Sequence, residues 1–136
     1  MRFVVAVLSI IFLPVANAQT PAPMGQSLAD AATFGAVATL APLCGLRDEA
    51  WSFDLRRAAL QAATGSAATD DAGLSHAPGN GQVAAALGYA DMEALEDFAA
   101  DTPAATCASL QGNSALGRAD AAVNAFRRRR DRKPVG

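Results

Sequence analysis

Seven residues near the C-terminus, Arg127-Arg128-Arg129-Arg130-Asp131-Arg132-Lys133, place six cations beside one carboxylate. Such a run is a candidate tether for an anionic envelope surface, glycolipid or phospholipid head groups, or for an acidic protein partner. Each cation beside such a surface contributes about 1 kcal/mol. Two plainer readings compete: a solvated tail whose arginines complement a helix C-terminal dipole, and a tail lying across the rest of the chain. The third draws on a lopsided charge distribution. Residues 19–117 hold three Arg against eleven Asp and Glu, a balance of −8, whereas residues 118–136 hold six Arg and one Lys against two Asp, a balance of +5. Nucleic acid is not an expected partner, because the basic run lacks the interleaved aromatics of a single-strand platform.

His76, the only histidine, follows Asp70 and Asp71 in a Gly- and Ser-rich stretch. A histidine with two carboxylates is raw material for a metal site or a general acid/base. No second ligand pair at metal spacing and no nucleophile in a recognisable turn accompanies it, so a surface histidine beside two turn-forming aspartates is the simpler account. Asp91, Glu93, Glu96, Asp97 and Asp101 lack the alternating oxygens and turn glycine of a calcium loop and read as a solvated helix face. Gly79-Asn80-Gly81 is too short for a phosphate loop, and no dinucleotide fingerprint or nucleophile elbow occurs. The expectation is a non-enzyme with no metal and no cofactor.

Cys44 and Cys107 are the only cysteines. No Cys-x-x-Cys or haem signature surrounds them, so a structural disulfide is expected. Closing a loop of this length contributes roughly 4 kcal/mol at most in the chain-entropy model. An oxidising compartment is implied by residues 1–18, MRFVVAVLSIIFLPVANA: Arg2, an apolar run over 3–13, Pro14 and the small-x-small site Ala16-Asn17-Ala18 read as a cleaved export signal. The apolar run is too short to span a bilayer, so no transmembrane segment is expected in the mature chain, which is placed in the periplasm or secreted.

The elements that must position these groups read as helical. Of 34 alanines, 31 lie after residue 18, while Val and Ile are scarce there and β-branched alternation is absent. Residues 19–26 form a flexible leader. A first helix starts at Ser27, with Leu28, Ala31, Phe34, Val37, Leu40 and Ala41 on one face, and ends near Pro42 to Gly45. Asp48 caps a second through Ala63, carrying Trp51 and Leu55 inward, Phe53 and Leu60 as a second apolar stripe, and Asp54, Arg56 and Arg57 on a wet side. Residues 65–81 read as a structureless loop. Gln82 opens a short helical segment broken at Gly88, and Asp91 starts another with Met92, Leu95, Phe98 and Ala99 on one face. Thr102-Pro103 opens a helix through Leu110. Ser114 caps the last, whose stripe is Leu116, Ala119, Val123 and Phe126 and which frays into a basic tail over 127–136.

The predicted fold class is therefore all-α: a small bundle of four or five helices over residues 27–126 with one disulfide, after a cleaved signal peptide. Trp51, Phe34, Phe53, Phe98, Phe126, Tyr89 and the leucines must supply most of its core volume. The functional expectation is an exported, non-enzymatic envelope or periplasmic binding or scaffold protein. Thirteen carboxylates also make an acid- or stress-activated periplasmic chaperone a physically possible alternative. An enzyme or metal protein using the 65–81 loop is the remaining one.

Overall fold

The computed structural model describes residues 23–100 and 102–132, with side-chain environments from residue 28 onward. The expected export signal, Asp101 and Lys133 lie outside the described residues. Six helices and no strand occur among them: α1 (Pro23–Leu43), α2 (Glu49–Thr64), α3 (Asp71–Ser75), α4 (Asn80–Ala100), α5 (Pro103–Gln111) and α6 (Ser114–Arg132). The count exceeds the expected four or five because α3 forms inside the stretch read as a structureless loop. α1 also begins four residues earlier than Ser27, at Pro23, whose fixed φ and missing donor suit a first helical position.

α1 packs on α4 and α2, and α2 packs in turn on α6. The α1–α2 junction follows from three residues. Pro42, in the last turn of α1, has no N–H to give the Ala38 carbonyl four residues back. The hydroxyl of buried Ser52 on α2 donates to that carbonyl instead, at 2.7 Å. Gly45, at φ 68°, then reverses the chain. Its N–H donates to Pro42 O at 3.0 Å and the Leu46 N–H to Ala41 O at 2.9 Å, which satisfies two carbonyls at the helix end. Asp48 caps α2 by accepting from the Trp51 N–H at 2.8 Å, and Gly65, at φ 69°, ends it.

The main core joins Val37, Ala38 and Ala41 of α1, Trp51 and Leu55 of α2, Leu110 of α5, and Leu116, Ala119 and Val123 of α6. A smaller cluster joins Ala31, Ala59, Val83 and Leu87, and Phe34 packs against both. Cys44 and Cys107 form a disulfide with their Cα atoms 5.4 Å apart, linking the turn after α1 to α5.

Three expected core residues lie elsewhere. Tyr89 and Phe53 are exposed, at 74% and 54%, and Phe98 is only half-buried. Phe53 lies off the α2 face that buries Trp51 and Leu55. For Tyr89 and Phe98 the cause is the register of α4, which runs unbroken through Gly88 and buries Val83, Leu87, Ala90 and Ala94 rather than the face of Met92 and Leu95. Small residues win this interface by proximity. A Cβ on Gly35 of α1 would lie 3.0 Å from Leu87 O and 3.2 Å from the Ala90 Cβ, so α1 and α4 approach at a distance that only glycine and alanine permit.

Candidate functional site

Arg127 to Arg132 are part of a helix. α6 continues as regular helix to Arg132, and Asn113 rather than Ser114 supplies its N-terminal side-chain cap, accepting from the Ala115 N–H at 2.9 Å. The arginines fold back on α2. Arg127 Nε donates to Asp54 Oδ2 at 2.7 Å, Arg130 Nη1 to both Asp54 oxygens at 3.2 and 3.3 Å, and Arg57 Nη1 to Asp54 Oδ1 at 3.2 Å. Asp54 was expected on the wet side of α2, and it is buried beneath these three guanidiniums. Burial pushes the Asp54 carboxyl up, but the Arg127 hydrogen bond, the charges of Arg130 and Arg127 and the Arg57 hydrogen bond outweigh it, holding the group below the ordinary carboxylate value.

Gln61, about two turns further along α2, makes the next attachment. Its amide nitrogen donates to Ala68 O at 2.9 Å and its oxygen accepts from Arg129 Nε at 2.5 Å, so one buried side chain ties the loop after α2 to the end of α6. Beside it lies an open cleft of about 570 Å³ lined by Gln61, Ser66, Thr69, Arg129 and Arg132, among others. Arg128 and Arg132 make no hydrogen bond or ion pair among the described residues, and Arg129 is bonded to a neutral amide. Three uncompensated cations thus sit at neighbouring positions of one helical turn, where i,i+3 and i,i+4 spacing makes them repel. An anion placed between them relieves that repulsion.

A second arginine pairing fixes the opposite part of α6. Arg47 grips Asp120 through Nε at 2.9 Å and Nη2 at 2.5 Å, while Trp51 Nε1 donates to the same carboxylate at 3.1 Å. The Arg47 hydrogen bond lowers the Asp120 pKa. Arg47 also lies over the Trp51 ring, 5.6 Å from its centroid. Asp120 has no counterpart in the sequence reading, since a carboxylate 73 positions from its arginine leaves no local signal.

The His76 constellation does not assemble. Asp71 gives both oxygens to Arg57, at 2.7 and 3.1 Å, and the Arg57 hydrogen bond lowers its pKa. Exposed His76 Nδ1 lies 2.6 Å from Ala72 O. Among the described residues no group of His, Cys, Asp or Glu is arranged to hold a metal ion, and no helix is long and apolar enough to cross a membrane. No family model, curated protein or solved structure matches the chain.

Proposed function

We propose that this protein is an exported, non-enzymatic helical module of the envelope that binds a phosphate-bearing group through the basic end of α6. The observation that carries the reading is the pinned geometry of that end. Asp54 anchors Arg127 and Arg130, leaving Arg129 and Arg132 at the Ser66 and Thr69 cleft and Arg128, next to Arg129 in the same helix, all three uncompensated. Cations held on a rigid helix lose less conformational entropy on binding than the same cations on a loose tail. The export-type sequence of residues 1–18 and the disulfide support the compartment.

The test compares the mature chain with a variant carrying Arg128→Gln, Arg129→Gln and Arg132→Gln. This leaves the Asp54 pairs in place. The probes are phosphatidylglycerol vesicles, phosphatidylcholine vesicles and inorganic phosphate. At about 1 kcal/mol per cation the triple variant should bind anionic vesicles roughly a hundredfold more weakly, with a shallower salt dependence. Binding to free phosphate without vesicle binding would point to a soluble ligand. Equal binding by both proteins, or by neither, overturns the reading and leaves an acidic protein partner to be sought.

One observation favours a second reading, an acid-activated chaperone. Asp54 on α2 accepts from Arg127 and Arg130 of α6 as well as from Arg57 of its own helix, and Asp120 on α6 accepts from Arg47 of the α1–α2 turn and from Trp51 of α2. Their protonation removes the attraction that holds α6 to α2. New dye-accessible apolar surface at pH 2–3 together with suppressed aggregation of a client protein supports that activity, and absence of either rejects it.

A further inference from the structure

α4 has a second apolar face that nothing among the described residues covers. Gly81, Ala85, Gly88, Met92, Leu95 and Ala99 are all exposed, and their spacing is four, three, four, three, four. That is an unbroken heptad seam, on the side of the helix away from Val83, Leu87, Ala90 and Ala94. Met92 is 59% exposed and Leu95 45%. Phe53 and Leu43, also exposed, line a groove with Leu95 and widen the apolar surface.

We propose that this seam pairs antiparallel with the same seam of a second copy of the chain, about a two-fold axis at the level of Ala90. Size argues for this occupant. The first half of the seam is small and the second half is large, so reversal sets Ala85 against Leu95 of the second copy, Gly88 against Met92 and Gly81 against Ala99. Ala84 and Phe98, which flank the seam, oppose each other in the same small-to-large sense. A parallel pair sets large on large and glycine on glycine.

Charge argues the same way. Glu93, Glu96 and Asp97 all lie in the second half of α4, and Gly81 to Gly88 carries no charge. Antiparallel pairing places each acidic half against the neutral, dipole-positive half of its mate, with Gln82 opposite Glu96 of the second copy, whereas parallel pairing stacks the acids. Asp91 meets its own copy, but Arg56 lies 3.4 Å from it and the Thr39 hydroxyl bonds to it within each chain. Tyr89, 74% exposed, meets Tyr89 of the second copy.

Gly88 supplies an independent reason. A Cβ there would meet nothing within 4 Å, and the same holds at Gly81. A glycine inside an exposed helix is destabilising relative to alanine, and no contact among the described residues requires this one. Room for Met92 of a second copy does. The interface is isologous, so it closes at two subunits. It rests on α4 alone and is independent of the α6 site.

Sedimentation of the mature chain over a concentration series tests the pairing. A monomer–dimer equilibrium is expected. Gly88→Met should weaken the dimer at least about tenfold by opposing methionine to methionine, and adding Met92→Ala to it should restore pairing. Orientation is read by crosslinking: Tyr89→Cys should form an intersubunit disulfide, and Ala99→Cys should not. Helical circular dichroism checks that each variant is folded. A monomer at every concentration overturns the proposal and leaves the face to a different protein or to lipid. So does a dimer indifferent to Gly88→Met, or one crosslinked by Ala99→Cys and not by Tyr89→Cys.

Discussion

Asp54 joins two helices through a buried carboxylate bonded to Arg57, Arg127 and Arg130. Replacing it with Asn keeps the shape but removes the charge facing three guanidiniums. Asp54→Asn should therefore destabilise the protein by roughly 1–3 kcal/mol in urea unfolding, less than a fully buried pair because the arginines keep part of their hydration. Ser52 is a neutral counterpart: Ser52→Ala leaves the Ala38 carbonyl without a donor and should cost about 1–2 kcal/mol, by the same measurement. Sequence reading reached the Asp54–Arg57 pair, because three residues on a helix is a local spacing. It did not reach Arg127 and Arg130, 73 and 76 positions away. Read from α2 alone, a charged position between Phe53 and Leu55 belongs to the wet side. Only the approach of α6 buries it.

At the scale of helices, the strong apolar stripes were legible and the alanine-rich faces were not. Leu116, Ala119, Val123 and Phe126 are buried as their spacing predicts, and Trp51 and Leu55 with them. α4 carries apolar residues around most of its girth, so periodicity marks a helix without selecting its inward face. The largest side chains point the wrong way as a guide, because close approach to Gly35 decides the interface. Gly88→Ala should stabilise the monomer by about 0.5–1 kcal/mol in thermal unfolding, since Gly88 is helical with open space around it. Gly35→Ala should act in the opposite sense and lower the midpoint, its methyl meeting the Leu87 carbonyl and the Ala90 side chain.

For the molecule as a whole, the carboxylates that hold segments together share one direction of shift. Asp54, Asp71 and Asp120 are lowered. A carboxyl with a lower pKa folded than unfolded contributes its full stability above the unfolded value, near 4, and loses it as pH falls through the folded one. Stability should thus be flat above about pH 5 and decline below pH 4, with Asp54→Asn showing a shallower decline in acid titrations of the unfolding free energy. The Cys44–Cys107 link, legible as the sole possible pairing, should contribute about 2–4 kcal/mol, measured as the loss on replacing both cysteines by alanine. Its placement also divides the chain mechanically. The link encloses α2, α3 and α4 in a loop of 63 positions, leaving α1 and α6 as the arms outside it. When the protein is pulled from its two ends and the packing contacts have given way, tension passes from α1 through the sulfur bridge into α5 and α6, and the enclosed backbone is bypassed. Optical-trap extension should lengthen by roughly 200 Å more once the bridge is reduced.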